Sequence, residues 1–389
     1  MSELLESRWR DTKEALLEGL SGTRKAVMSV TLENTRKYLA ESATAGGTSA
    51  GNVATLNRVI LPVIRRVMPT VIANELVGVQ PMTGPVGQIH TLRVRYADSA
   101  DNVVAGEEAL SPFKIASAYS GNNTDSTPRA ASTAILEGAA GKRLSIQILK
   151  QTVEAKSRKL SARWTFEAAQ DAQAQQGIDI EAEIMAALAQ EITAEIDQEI
   201  LGSLTTLAGS AVETYDQANV SGTATFVGDE HAALAVLINR VSNLIAQRTR
   251  RGAGNWAVVS PFALTILQSA TTSAFARTTE GTFEAPTNTK FVGTLNNAMK
   301  IYVNTYAADS AGVLVGYKGS SESDAPMFYC PYIPLMSSGV VLDPSTFEPV
   351  VSFMTRYGLV ALENVASSLG NAADYLGLVA ITNGNVKFS

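Results

Sequence analysis

The sequence predicts an α+β protein of more than one domain, and three observations carry that prediction. A long helix with an apolar stripe runs from Ile180 to Leu204, near the middle of the chain. Two strand-like arms precede it, separated by a stretch of small residues. A mixed run of helix and strand patterns follows, ending in the strand-rich segments FEPVVSFMTRYGLVAL and YLGLVAIT. These last segments read as completing the sheet of a first body around an inserted second one. With 389 residues and 46% hydrophobic content there is material for a sizeable core, and the length suggests two or three domains.

Residues 1–41 hold seven acids and seven bases, fourteen charges in 41 residues against 17% for the whole chain. Leu5, Trp9, Leu16 and Leu20 give this segment an amphipathic helical stripe. The small-residue linker SATAGGTSAGN comes next, then LNRVILPVIRRVMPTVIANEL, a helical pattern broken by Pro62 and Pro69. From Gly78 to Gly87 glycine and proline make a hinge, and Gln88–Tyr96 alternates as a strand with Arg93 and Arg95 on one face. Residues 97–141 are poor in bulky apolar groups, and ASAYSGNNTDSTPRAASTA reads as an exposed ribbon tip. LSIQILKQTVEAKSRKLSARW returns as a half-exposed strand carrying Lys150, Lys156 and Arg158.

Along the long helix Ile180, Ile184, Leu188, Ile192, Ile196, Ile200 and Leu204 recur every four residues. Four-spacing overshoots the 3.6-residue period, so the stripe advances by about 40° per step and winds around the helix. Glu191, Glu195 and Glu199 line another face. Farther on, Asp229 is placed to cap a helix whose core face is Leu234, Leu237, Ile238, Val241, Leu244 and Ile245, ending at RTRRG. WAVVS, MKIYVNTYA and GVLVGYKG read as strands, and Ser260-Pro261 as an N-cap followed by proline at the first helical position.

The function classes narrow by exclusion. No apolar run reaches the ~18–20 residues that cross a bilayer. The N-terminus has neither the basic start nor the unbroken apolar stretch of a signal peptide, so a soluble, non-secreted protein is expected. The single cysteine, Cys330, closes no disulfide within the chain and reads as packed among aromatics in FYCPYIP. A net charge of −6 and a pI near 5.2 oppose a specific nucleic-acid reader, though not a protein that lies beside nucleic acid. His90 and His231, the only histidines, are too few for a zinc site. RGAGNW follows a helix and precedes a strand, the reverse of a phosphate loop. VVSPF lacks the G-x-S-x-G elbow, and Glu107-Glu108 reads as a solvated loop pair. No cofactor, metal or catalytic constellation is expected, so the chain reads as a non-enzyme.

The remaining charges each have two readings. Arg248, Arg250 and Arg251 either stabilise a helix C-terminus closed by Gly252 or also meet another subunit. The Glu191/Glu195/Glu199 row is either a solvated face or a partner for arginines of a neighbouring copy. Arg93 and Arg95, with Lys156 and Arg158, are either solvated or contacts of a ribbon lying on another surface.

Four ordered blocks carry a family resemblance: VIRRVMPTVIANELVGVQPMTGPVGQIHTLRVRYAD, VEAKSRKLSARWTFEAAQDAQAQQGIDIEAE, VGYKG followed by DAPMFYCPYIPL, and FEPVVSFMTRYGL. Together they resemble the major capsid proteins of T-even-type tailed bacteriophages. The likeness implies the tailed-phage (HK-ninety-seven type) capsid fold: an N-terminal arm at 1–87, an extended two-stranded loop at 88–156, a peripheral domain with the spine helix at 157–205, an axial domain at 206–335, and a return to the peripheral domain at 336–389. It implies hexamers in an icosahedral shell that encloses double-stranded DNA without sequence-specific binding. Vertex and portal proteins are implied partners, with scaffold and decoration proteins as further candidates, and the location is the virion, assembled in the host cytoplasm. The family's N-terminal segment is removed after a Leu/Ile-x-Glu motif during procapsid maturation. Leu39-Ala40-Glu41 matches that motif, marking 1–41 as a cleavable segment, although Glu6, Glu18 and Glu137 match it too. The family's folded insertion in the extended loop has only 97–141 to correspond to it, which argues against a separate insertion domain. The alternatives are a vertex paralogue and an encapsulin-type cargo shell.

Overall fold

The computed structural model describes scattered positions between 9 and 34 and most of 72–382; within the latter the longest stretches left out are 110–118, 122–129, 217–226, 278–289 and 363–371. Glu41, the 42–52 linker, Pro62, Pro69 and Arg250 lie outside the described residues, as do Leu5, Leu16 and Leu20 of the N-terminal stripe. The chain forms two compact units. The first takes Met1–Gly87, Thr152–Gly202 and Phe328–Val360, and the second takes Gln88–Gln151, Ser203–Met327 and Ala361–Ser389.

In chain order, a helical stretch at 25–34 precedes helix α1 (Ala73–Leu76) and strand β1 (Gly78–Val79). The ribbon is β2 (Val86–Tyr96) and β3 (Leu144–Glu154), with the single turn α2 (Thr133–Leu136) between them. Next come β4 (Lys156–Arg163), α3 (Phe166–Gln176) and the long α4 (Ile180–Ala208). They are followed by β5 (Glu213–Asp216), α5 (Val227–Thr249), β6 (Trp256–Val259), α6 (Pro261–Ser269), β7 (Phe275–Arg277), β8 (Lys290–Leu295), β9 (Met299–Val303) and β10 (Val313–Gly316). The chain continues through β11 (Met327–Ser337), β12 (Val341–Leu342), β13 (Pro349–Ala361) and, after a 3-10 turn at Ala372–Tyr375, β14 (Leu376–Thr382).

In the first unit, β1 pairs in parallel with β11, β11 neighbours β13, and β4 pairs antiparallel with β13 from Lys156↔Tyr357 to Arg163↔Val350. β11 is buried along almost its whole length, as a strand covered on both faces must be. Burial pushes the Cys330 thiol in it up to about 11. The return segment 144–164 is two strands rather than one. Ala155 donates its N–H to Pro85 on the ribbon, and from Lys156 onward the backbone pairs with β13 instead. At the other end of the ribbon Ala97 donates to Arg143. These two bonds lie equally far apart on both strands, so the hairpin is antiparallel in one register.

From Leu188 the buried residues of α4 are Leu188, Ile192, Ile196, Ile200 and Leu204, each but the last with its following residue. Burial therefore follows the four-residue repeat, while Ile180 and Ile184 are only half-buried.

The ribbon tip differs from the loose loop expected of 97–141. Tyr96, Val103 and Ala109 are buried together, with Val94 and Tyr119 against them. The Tyr96 and Tyr119 rings lie 4.6 Å apart. The Tyr119 hydroxyl donates to the Arg143 carbonyl at 2.5 Å, and Asp98 accepts the Arg143 N–H at 2.9 Å. Two tyrosines thus supply the apolar area that the surrounding small residues lack.

The second unit is built on a seven-stranded mixed sheet in the order β5-β14-β10-β6-β9-β8-β7. Leu234, Ile238, Val241 and Ile245 of α5 and Ile266 and Leu267 of α6 pack with Val259, Ile301, Val315 and Val379 of the sheet. α5 begins at Val227, so Asp229 stands inside its first turn rather than in front of it, and its side chain lies outside the described residues. Ser260 does cap α6, accepting the Ala263 N–H at 3.2 Å with Pro261 behind it. Gly316 has a packing reason: a Cβ there would sit 2.1 Å from the Trp256 ring.

Two segments change sides relative to the expected boundaries. FYCPYIPL belongs to the first unit through its pairing with β1 and β13, not to a domain ending at 335. YLGLVAIT forms β14, paired with β10 and β5, so it belongs to the second unit and not to the first. Alternation and burial are the same for a strand in either sheet, so the pattern alone does not select the partner.

Candidate assembly surfaces

Because β4 pairs with β13, Lys156 and Arg158 belong to the sheet of the first unit rather than to the ribbon. Arg158 stands where three elements meet. Its Nη1 donates to Glu195 at 2.6 Å, its Nη2 to Glu199 at 2.5 Å and its Nε to the Tyr357 hydroxyl at 2.5 Å. The Tyr357 hydroxyl in turn donates to Glu199. Burial opposes the Glu199 charge, yet the hydrogen bonds from Tyr357 and Arg158 prevail and hold its carboxyl below the usual range. Burial likewise disfavours the Arg158 cation, and Glu199 and Tyr357 overcome it and raise its pKa. The network borders a cavity of about 550 Å³ that Glu154 and Lys156 also line.

Two of the three acids in the helical row are thus satisfied by an arginine of their own chain. Glu195 and Glu199 remain partly exposed beside that arginine, and Glu191 is exposed.

On the ribbon, the Arg93 side chain lies outside the described residues. Arg95 is half-buried, and its Nε is buried with no hydrogen-bond partner. The adjoining strand is the more informative. Leu144, Ile146 and Ile148 alternate onto one face of β3 and are 55%, 68% and 66% exposed. Bare apolar side chains in a row on a two-stranded ribbon form an exposed apolar patch rather than a core.

In the second unit Arg251 donates to Asp324 at 2.6 Å, and Asp324 also accepts from the Tyr375 hydroxyl at 3.3 Å. Arg248 lies half-buried in the last turn of α5. Gly252 does not take the left-handed conformation of a helix-closing glycine; its lack of a side chain makes room for Tyr317, whose ring would be 2.6 Å from a Cβ. His231 is buried against the Ser269 hydroxyl, and burial lowers its pKa.

Sequence reasoning missed Tyr357, Asn34 and Asp197. Asn34 is buried and donates to the carbonyls of Met82 at 2.7 Å and Tyr332 at 3.1 Å, tying the 25–34 helix to the Gly/Pro hinge and to β11. Asp197 follows Ile196 in the lane Ala189–Thr193–Asp197–Leu201 beside the apolar stripe, and an acid in that lane was the available signal.

Residues 53–139 and 123–381 match the family model described as Major capsid protein Gp23. The chain is 28% identical to the major capsid protein of Vibrio phage KVP40, over 91% of this chain and 92% of that one. It is 29% identical to the major capsid protein of Enterobacteria phage T4, over 81% and 77%. A solved chain from Mycobacterium phage Bobi aligns over 80% of this chain and 90% of its own, at 14% identity and a TM-score of 0.49.

Proposed function

The chain belongs to the major capsid protein Gp23 family, and from that premise we propose how its surfaces build a shell. It is a major capsid protein of the tailed phages, a self-assembling component of the icosahedral virion head. The relatives matched are major capsid proteins, so neither a vertex paralogue nor an encapsulin-type shell is favoured.

The role is structural, without catalysis. Residues 88–155 act as the extended loop and 1–87 as the arm, with 1–41 as a cleavable segment whose candidate cleavage site follows Glu41. The spine helix and the 328–360 strands make the peripheral domain, and 206–327 with β14 makes the axial domain. Copies join as hexamers, with vertex and portal proteins completing the head and scaffold and decoration proteins as further partners. The enclosed double-stranded DNA is held without specific contacts, because an acidic protein offers its phosphates little to bind.

The observation that carries this reading is the exposed row Leu144, Ile146 and Ile148. A neighbouring copy covers it; Arg93 and Arg95 of the facing strand, at register positions opposite Gln147 and Ser145, are a second and separate contact candidate. Glu191, Lys156, Arg248 and Arg250 are secondary contact candidates. The test is electron microscopy of particles from the expressed chain, compared with Ile146→Lys/Ile148→Lys and Arg93→Glu/Arg95→Glu. Shells are expected from the parent, and folded but unassembled protein from both variants. Normal shells from the isoleucine variant would remove the ribbon from the contact.

A further inference from the structure

Asp197 lies in the interior of the first unit, 1% exposed, one lane over from the apolar stripe of α4. Its Oδ1 accepts the backbone N–H of Ile72 at 3.0 Å. Its Oδ2 is buried and has no hydrogen-bond partner. An ionised carboxylate seeks several donors, and a buried one held by a single donor is costly. No cation among the described residues pairs with it. Arg158, on the strand that meets the same helix, is taken by Glu195 and Glu199.

The groups around it reinforce this. From β11 the buried Tyr329 phenol is near enough to feel the Asp197 charge, and its pKa is raised by burial and then by Tyr357, Asp197, Cys330 and Glu199. From β13 comes Tyr357, already donating to Glu199. On the α1 side Glu75 stands three residues beyond Ile72 and is half-buried. These neighbours are acids or neutral phenols, Tyr357 being committed to Glu199, and none carries a positive charge to compensate a carboxylate at Asp197.

The partner strand of chain is just as specific. Ile72, Ala73, Leu76, Val77 and Val79 are all buried, and the run leads through β1 into the hinge that launches the ribbon. Ile72 N–H is one point where this run is tied to α4, through the Asp197 side chain.

We propose that Asp197 is a proton-operated latch on the Ile72–Val79 run. With a proton on the carboxyl, the run stays sealed against the long helix. With the proton lost, the carboxylate draws in water and the run opens. Burial pushes the Asp197 pKa up to about 7, against the opposing pull of the Ile72 N–H. A carboxyl raised in this way holds the closed form most firmly below its ordinary value near 3.8, and that hold is lost as pH rises to about 7. The latch is a property of the chain itself; its bearing on shell assembly, through the arm and hinge, rests on the capsid reading.

The test is hydrogen exchange of the unassembled full-length chain between pH 5 and 8, read on peptides covering 72–79 and corrected for intrinsic rates. Under conditions where exchange follows the opening equilibrium, protection should fall by roughly tenfold per pH unit from 5 to 7 and level off above. Asp197→Asn keeps a carbonyl for the Ile72 N–H and removes the proton, so its protection should be independent of pH. A flat profile in the wild type, or an unchanged slope in the variant, overturns the latch. Should the variant not fold, the wild-type profile decides alone. Because nothing is assembled in this experiment, a failure of the capsid reading leaves its outcome untouched.

Discussion

Replacing Arg158 with Met keeps the length of the side chain and removes its charge and donors. Two ion pairs at 2.6 and 2.5 Å and one hydrogen bond to Tyr357 are lost. The Arg158, Glu195 and Glu199 side chains are 32%, 43% and 37% exposed, so solvent screens each pair to about 0.5–1 kcal/mol. The bond to Tyr357 contributes about 1 kcal/mol. Tyr357 still donates to Glu199 afterwards, which leaves that carboxylate one partner. The net cost should be about 2 kcal/mol. The assay is hydrogen exchange in rising urea, read at peptides covering β4 and β13, because a chain of two units does not give one global transition. A double-mutant cycle with Glu199→Gln should show coupling of about 1 kcal/mol that shrinks in high salt. A cost below about 0.5 kcal/mol, or additive single variants, would refute the claim that Arg158 links α4 to the sheet.

Other outcomes follow from the same kind of reasoning. Gly316→Ala places a methyl 2.1 Å from the Trp256 ring, so it should destabilise the second unit by about 1–3 kcal/mol or prevent its folding, read by Trp256 fluorescence in denaturant. Ser260→Ala removes the cap on α6 and should cost about 1 kcal/mol, seen as faster exchange of the Ala263 amide. His231 has a lowered pKa because it is buried, so its contribution is present above its ordinary value of 6.5 and is lost as pH falls through the lower folded value. The α5 amides should accordingly lose protection on acidification below about pH 6.5, whereas the Asp197 effect on 72–79 runs in the opposite direction.

The helices and strands were largely legible because local patterns dictate them. The four-residue repeat of α4, the Ser260-Pro261 cap and the alternation of β2 are statements about neighbours in sequence. Sheet membership was not legible. FYCPYIPL and YLGLVAIT have strand patterns compatible with either unit, and only β1, β13, β10 and β5 decide between them. The same limit applies to charges. Glu195 and Glu199 were visible as a row, but their partner comes from a strand 37 and 41 residues earlier, turned toward them by pairing with β13. At the ribbon tip, composition misled: Tyr119 among serines and asparagines is enough to fold with Tyr96.

The strength of the ribbon contact sets how assembly must proceed. Leu144, Ile146 and Ile148 are each more than half exposed, so covering them contributes about 1–2 kcal/mol apiece, or about 3–6 kcal/mol for one ribbon. Joining two copies costs about 4–15 kcal/mol in lost translational and rotational freedom. Over most of that range one ribbon on one neighbour does not hold a dimer. In the proposed closed ring each copy both offers a ribbon and receives one, and further contacts form with no new translational cost, so the balance turns favourable only when several copies join. Sedimentation of the purified chain over a range of micromolar concentrations should then show monomer and large assemblies with little between. A stable dimer that persists on dilution and is abolished by Ile146→Lys would contradict this balance, since it would require a single ribbon to supply more free energy than its exposed surface contains.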